Sequence, residues 1–259
     1  MAERLPVVRC KPAVVIDWWS HAGASRDLLG AAYPQARVLR IEPAAAFARP
    51  VLPWWRAVLR RRALAIEAAA LQPAAAQLVW ANMMLHSVDD PGALLGQWHA
   101  ALGVDGFLMF STLGPGTLKT LREVYRDAGW GAAHAPFVDM HDLGDMLVGA
   151  GFAEPVMDQE SLRLTWATPA ALLAELRGLG INADPSRHAG LRTPRWRARL
   201  ESALAERAGA DGRIGLEFEL VYGHAFKPPP RLRVTGQTQV SVDELQRMAR
   251  AGRRDRGLG

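Results

Sequence analysis

The sequence predicts an α/β protein built on a mostly parallel sheet. Apolar strands and helices alternate from the N-terminus to Gly151, and this alternation is typical of a parallel sheet with helices on both faces. Beyond Gly151 a long strand, two helices and a strand with period-two alternation follow. Two strands that bracket helices indicate one domain with a helical insertion, and the second of them is predicted to be antiparallel.

The strands are predicted from short runs rich in apolar residues. They cover 13–17, 36–41, 63–66, 77–84, 106–113, 152–166 and 216–226, where 152–166 is one long strand or a bent pair.

The helices are predicted from their capping residues and their periodicity. Ser25 and Asp90 precede two of them, Gly103 ends the helix that Asp90 begins, and Gly151 ends a later one. Ser241 forms a capping box with a glutamate three residues later. Helices are expected at 26–32, 44–60, 91–102, 117–128, 139–150, 169–179 and 194–207, with a short one from Ser241.

The domain organisation follows from these elements. We expect one domain over 1–228, with a helical insertion at about 167–212. The run of prolines after Lys227 ends the last strand, so 229–259 is predicted to be a linker rich in proline and arginine with a short terminal helix.

Composition excludes several classes of protein. The single cysteine, Cys10, excludes an internal disulfide framework and a site with several cysteine ligands. No apolar run approaches the roughly 18 residues of a membrane span, and the apolar stretch 13–16 is too short for a signal peptide. These features favour a cytoplasmic protein.

The charge is basic and dominated by arginine. The chain carries 31 basic against 26 acidic residues, and all but three of the basic residues are arginine. A nucleic-acid surface is one interpretation, but the arginines are scattered and match no recognisable reading module. Two clusters could attract an acidic partner: Arg56, Arg60, Arg61 and Arg62, and Arg250, Arg253, Arg254 and Arg256.

Two acidic residues end the first two predicted strands. Asp17 follows the first and Glu42 the second. Parallel sheets bind ligands beyond the carboxyl ends of their strands, and a carboxylate can accept two hydrogen bonds from the vicinal hydroxyls of a ribose. The alternative is that Glu42 is a solvated loop acid.

Three later stretches carry a family resemblance. Residues 89–122, DDPGALLGQWHAALGVDGFLMFSTLGPGTLKTLR, resemble class I S-adenosylmethionine-dependent methyltransferases. Residues 134–160, HAPFVDMHDLGDMLVGAGFAEPVMDQE, and 221–228, VYGHAFKP, resemble the malonyl-[acyl-carrier-protein] O-methyltransferases of biotin synthesis. The resemblance extends from about Ala13 to Pro228.

The resemblance implies a fold and a reaction. The fold is a Rossmann-like sheet of seven strands, with the last strand antiparallel and an insertion before it. The reaction is methyl transfer from S-adenosylmethionine to the free carboxylate of a malonyl thioester, with an acidic acyl carrier protein as partner. The implied cofactor-binding residues are Asp17, Gly23, Glu42, Glu67 and Asn82; no catalytic residue is assigned.

The cofactor loop departs from the family pattern. Where the family has D-x-G-x-G-x-G, this chain has Trp19 and His21 at the first two glycine positions and keeps only Gly23. An indole adds bulk there, and a residue other than glycine disfavours the positive φ angle of the turn. The family's helical lead-in before the first strand is also missing, and His86 and Ser87 replace a Gln–Trp pair.

These departures leave two functions open. One is an active methyltransferase, and the other is a catalytically inactive protein of the same fold that serves as a binding or assembly partner. The pairs Trp18–Trp19 and Trp54–Trp55 would suit a filled pocket or a partner surface.

The histidines do not indicate a metal site. His86, His134 and His141 have no ligand spacing, so no metal is expected. His141 and Asp142 are predicted to start a helix as a cap.

Overall fold

A computed structural model describes residues 1–43, 65–67, 71–180, 182 and 184–230. Met1–Pro228 form one compact unit. Several predictions lie outside the described residues: the helices at 44–60 and from Ser241, Trp54 and Trp55, and both arginine clusters.

The sheet has seven strands in the order β3-β2-β1-β4-β5-β7-β6. The strands are β1 (Val14–Trp18), β2 (Arg37–Glu42), β3 (Ala65–Glu67), β4 (Ala76–Ala81), β5 (Leu102–Leu113), β6 (Ala153–Trp166) and β7 (Ile214–Phe226). β1 to β5 pair in parallel, whereas β7 runs antiparallel to both β5 and β6. The predicted Rossmann-like fold with an antiparallel last strand is therefore confirmed.

The described helices lie where the sequence predicts them, except for the short α1, which was not predicted. They are α1 (Ser20–Gly23), α2 (Arg26–Ala32), α3 (Pro91–Ala101), α4 (Lys119–Asp127), α5 (Met140–Gly149), α6 (Pro169–Leu179) and α7 (Pro194–Ala205). Among the helices that the structure describes, none is long and apolar enough to cross a membrane.

Side-chain caps account for several helix starts. The Asp90 carboxylate accepts a hydrogen bond from the Ala93 amide at 2.9 Å, as predicted. Thr168 and Thr193 cap α6 and α7 in the same way. Ser25 does not cap α2; its hydroxyl instead donates to the Gly23 carbonyl and accepts from Trp80 Nε1. This prediction was wrong because a tertiary contact competes for the hydroxyl.

Two strand boundaries differ from the prediction by three residues or more. β4 ends at Ala81 rather than Met84, because Met83 has a φ of +52° and leaves the strand direction. β5 begins at Leu102, directly after α3, because the Lys227 ammonium binds the carbonyls of His99 and Leu102 at that junction. Residues 153–166 form one strand, not a bent pair.

The insertion between β6 and β7 has a small core of its own. α6 and α7 pack with α4 over β7 through buried side chains. The buried members are Leu121, Val124, Trp166, Leu172, Leu200, Leu204, Ile214, Leu216 and Phe218. This core fixes the insertion on the sheet, and the cavity described below depends on it.

The insertion core should carry measurable stability. Leu204 is completely buried, whereas Leu191 is 98% exposed. We expect Leu204→Ala to lower the free energy of unfolding by about 2–5 kcal/mol, because it removes buried methyl groups and leaves a cavity. Urea unfolding followed by circular dichroism measures this, with Leu191→Ala as the control that should not change. Equal effects of the two variants would contradict the packing.

Candidate functional site

The candidate site lies at the carboxyl ends of β1, β2 and β4. Trp18, the last residue of β1, pairs in register with Ile41 on one side and Ala81 on the other. The loop of residues 19–25 leaves β1 at this edge and leads into α2. Ligands of open α/β sheets bind in this position.

Trp19 has a left-handed backbone conformation, which a residue other than glycine disfavours. Its φ and ψ are +52° and +50°, a conformation that costs a residue with a side chain about 1–2 kcal/mol. Its amide donates to the Ile41 carbonyl at 2.7 Å, and its ring packs against the main apolar core. The turn forms despite this cost, and these tertiary contacts offset the local strain.

Glu42 is a buried carboxylate with three side-chain partners. It is 2% exposed, so it is not a solvated loop acid. Its Oε1 accepts from Ser20 Oγ at 2.5 Å and from Arg40 Nη2 at 3.0 Å. Its Oε2 lies 2.6 Å from His21 Nδ1, and because a carboxylate only accepts, His21 is the donor.

His21 is the outermost of these partners. Its side chain is 30% exposed, against 18% for Arg40, and Ser20 is buried. His21 stands at a glycine position of the family pattern, so the imidazole occupies an oxygen of Glu42 that a glycine would leave available.

Asp17 is buried with one unpartnered oxygen. It is 1% exposed, and no described residue pairs with its Oδ1. Burial raises its pKa from 3.8 to about 7; Glu42 adds to this rise, whereas Arg40 and Arg26 oppose it. The Oδ1 atom of Asp17 is therefore a free hydrogen-bond acceptor, and a nearby cation would stabilise its charged form.

Asn82 connects the loop to the middle of the sheet. Its Nδ2 donates to the Gly23 carbonyl at 2.9 Å, and its Oδ1 accepts from Ser111 Oγ at 2.7 Å. A Cβ on Gly23 would lie 2.9 Å from Ser25 Oγ and 3.3 Å from the Asn82 side chain. Glycine is therefore required here by the close approach of the loop to β4.

Glu67 occupies the corresponding position on the neighbouring strand. It is the last residue of β3 and pairs in register with Glu42. Its side chain lies outside the described residues. The structure thus places all five predicted site residues at one edge of the sheet.

Three residues of this edge were not predicted: Ser20, Arg40 and Ser111. A sequence signal existed for Arg40, because residues two apart on a strand share a face, so Arg40 and Glu42 point the same way. Nothing in the sequence indicates that Ser111, inside an apolar strand, holds Asn82.

A cavity of about 1030 Å³ opens next to this edge. His86 and Ser87, which follow β4, line one end of it, and α4, α6, α7 and the segment 133–137 supply most of the remaining wall. Among the described residues, the charged side chains of the lining are Arg177, Arg192 and Arg197, and none is acidic. Its electrostatic character suits an anionic ligand.

The histidines near the cavity are neutral in character. His134 stacks on Phe137 with ring centroids 4.7 Å apart, and burial lowers the pKa of both His134 and His86.

The helix cap predicted at His141 and Asp142 is instead provided by Asp139, which accepts from the His141 amide at 2.8 Å. Among the described residues no group of three or more ligating side chains could hold a metal.

Sequence comparison decides the family. A model described as a methyltransferase domain matches residues 12–154. The malonyl-[acyl-carrier protein] O-methyltransferase of Laribacter hongkongensis is 42% identical over 247 residues, covering 90% of this chain and 82% of the relative. The enzyme of the same name from Gallionella capsiferriformans is 37% identical, covering 91% of this chain and 84% of the relative. The chain belongs to the methyltransferase family.

Solved structures agree on the fold. A Bacillus halodurans protein described as a methyltransferase superposes with a TM-score of 0.60 at 11% identity, covering 88% of this chain and 99% of that one. The YcgJ protein of Bacillus subtilis gives 0.57 at 10% identity, covering 88% and 97%. At such low identity these likenesses concern the fold alone.

Within the methyltransferase family the loop 19–25 is a distinctive variant. Trp19 has a positive φ without being a glycine, while His21 adds a side chain at the second glycine position of the family pattern. The chain of hydrogen bonds through Ser20, Arg40 and Glu42 holds this variant in place.

Asp17 should make stability depend on pH. Because its folded pKa is raised to about 7, the folded chain retains a proton that the unfolded chain has already released above pH 4. Stability is therefore lost as pH rises towards 7. We expect the stability of Asp17→Asn relative to the wild type to rise by about 2–3 kcal/mol between pH 5 and pH 8.

Urea unfolding of both proteins at the two pH values measures this difference, with Asp145→Asn as the exposed control. A constant difference between Asp17→Asn and the wild type at pH 5 and pH 8 would show that Asp17 does not titrate in this range.

Proposed function

We propose that this chain transfers a methyl group from S-adenosylmethionine to the free carboxylate of a malonyl thioester carried by an acyl carrier protein. The observation that carries the proposal is the cavity at Leu113, the carboxyl end of β5, whose described lining contains arginines and apolar side chains but no acid. The names of relatives at 37–42% identity support the choice of substrate.

The described residues fit the cofactor at two points. The unpartnered Oδ1 of Asp17 can accept from a cationic group, and S-adenosylmethionine carries an ammonium and a sulfonium. Glu42 can accept ribose hydroxyls through Oε2 once His21 leaves that oxygen. We infer that His21 turns outward when the cofactor binds, because its side chain is the most exposed partner of Glu42.

The remaining proposed cofactor residues shape the same edge. Gly23 and Asn82 hold the loop against β4, and Glu67 ends the strand beside Glu42. We assign no catalytic residue, since a carboxylate acceptor is already a nucleophile and needs no base. The bound cofactor supplies an activated methyl group, and the chain aligns the acceptor and keeps water away through the apolar walls of the cavity.

Acyl carrier proteins are acidic as a class, so a basic approach to the cavity would favour their encounter with this chain. Arg177, Arg195 and Arg197 are exposed on α6 and α7. An inactive binding or assembly role is not favoured, because Trp19 keeps the family turn and a large cavity lies beside the site.

Binding of S-adenosylhomocysteine tests the cofactor site. We expect micromolar affinity by calorimetry and a loss of about tenfold or more in Glu42→Gln, because a charged acceptor of hydroxyl hydrogen bonds is removed. His21→Gly should bind more tightly than the wild type, because it frees Glu42. Glu154→Gln, which changes an exposed carboxylate on β6, is the control.

A second assay tests the reaction. We expect methylation of malonyl-acyl-carrier protein in the presence of S-adenosylmethionine, detected by the mass gain of one methyl group on the malonyl thioester. No heat with millimolar S-adenosylhomocysteine and no mass gain, with both wild type and His21→Gly, would refute the proposed function.

A further inference from the structure

The cavity contains one arginine that differs from the other two. Arg177 and Arg197 are exposed, and Arg197 pairs with Glu201 at 2.8 Å. Arg192 is half-buried, and no carboxylate of the described residues lies within ion-pair distance of it. No described carboxylate offsets the charge of this guanidinium, which is therefore available to an incoming anion.

Arg192 is held in position from two sides. Its Nη2 donates to the Trp130 carbonyl at 2.9 Å, and its guanidinium carbon lies 4.7 Å from the centre of the Trp196 ring. Trp196, Trp130 and Tyr125 contact one another with centroids 5.3–6.1 Å apart. The group is thus ordered before any ligand arrives, which lowers the entropic cost of binding.

The guanidinium still has donors to offer. It carries five N–H groups, and the carbonyl of Trp130 uses one of them. A guanidinium matches the two oxygens of a carboxylate in a planar fork. The carboxylate keeps free lone pairs in this arrangement, so an oxygen stays available to react.

We propose that Arg192 binds the free carboxylate of the acceptor and selects malonyl thioesters over neutral ones. The inference rests on the proposed function and names the residue that would give it specificity. It has a further consequence: methylation removes the negative charge that Arg192 recognises, so the ester product is bound more weakly than the substrate.

The test compares a charged ligand with its neutral ester. Malonyl-pantetheine and its methyl ester differ only in the carboxylate and carry no phosphate that other arginines could bind. Calorimetric or NMR titration should show that the wild type binds the acid at least about tenfold more tightly than the ester. Arg192→Gln should reduce this preference to less than about threefold.

Two variants control the comparison. Arg126→Gln changes an exposed arginine of α4 outside the cavity lining and should keep the preference. Arg192→Lys keeps the positive charge but loses the planar pair of N–H donors, and it should give an intermediate preference. If Arg192→Gln shows no cooperative thermal unfolding and is therefore not folded, Arg192→Lys replaces it in the comparison.

The outcomes separate the two claims. A full preference in folded Arg192→Gln, or equal binding of acid and ester by the wild type, would overturn the role of Arg192. Such a result does not refute the proposed function, because methylation of malonyl-acyl-carrier protein is measured in a separate assay. Wild type that binds neither ligand and methylates no malonyl thioester would instead refute the proposed function itself.

Discussion

The carboxylate of Glu42 holds the site together. It joins β2 to the loop after β1 through Ser20, His21 and Arg40, with atoms 2.5–3.0 Å apart. A buried carboxylate is tolerated only when such partners replace water. With the loop held there, Trp19 can keep a left-handed backbone and Gly23 can approach Asn82. The turn at Trp19 therefore forms without a glycine.

The second determinant is the insertion packed on β7. Its buried leucines fix α6 and α7 beside α4, and the space left between them is the cavity. The cavity is lined by His86 and by Leu113, the last residue of β5, which runs parallel to β4. It can therefore bring an acceptor to the same edge of the sheet as the cofactor residues. Its arginines and apolar walls match a ligand with a charged end and an extended neutral arm.

Much of the fold is predictable because its signals are local. Apolar runs, Asp90 and the alternation in β7 each depend on a few neighbouring residues, and the structure follows them. The site is predictable only as single positions such as Asp17 and Glu42. The hydroxyl of Ser20, the fork of Arg192 and the turn at Trp19 depend on contacts between distant parts of the chain, and no local pattern reports them. Ser25 shows the same limit, because Trp80 claims the hydroxyl that capping would use.

The central claim is that Glu42 exchanges His21 for a ribose. A crystal structure of the protein with S-adenosylhomocysteine measures this most directly. The account predicts ribose hydroxyls within hydrogen-bond distance of the Glu42 carboxylate, with the His21 ring turned away and Ser20 and Arg40 unmoved. A ligand bound elsewhere, or an adenosyl group at this edge with His21 still on Oε2, would contradict it.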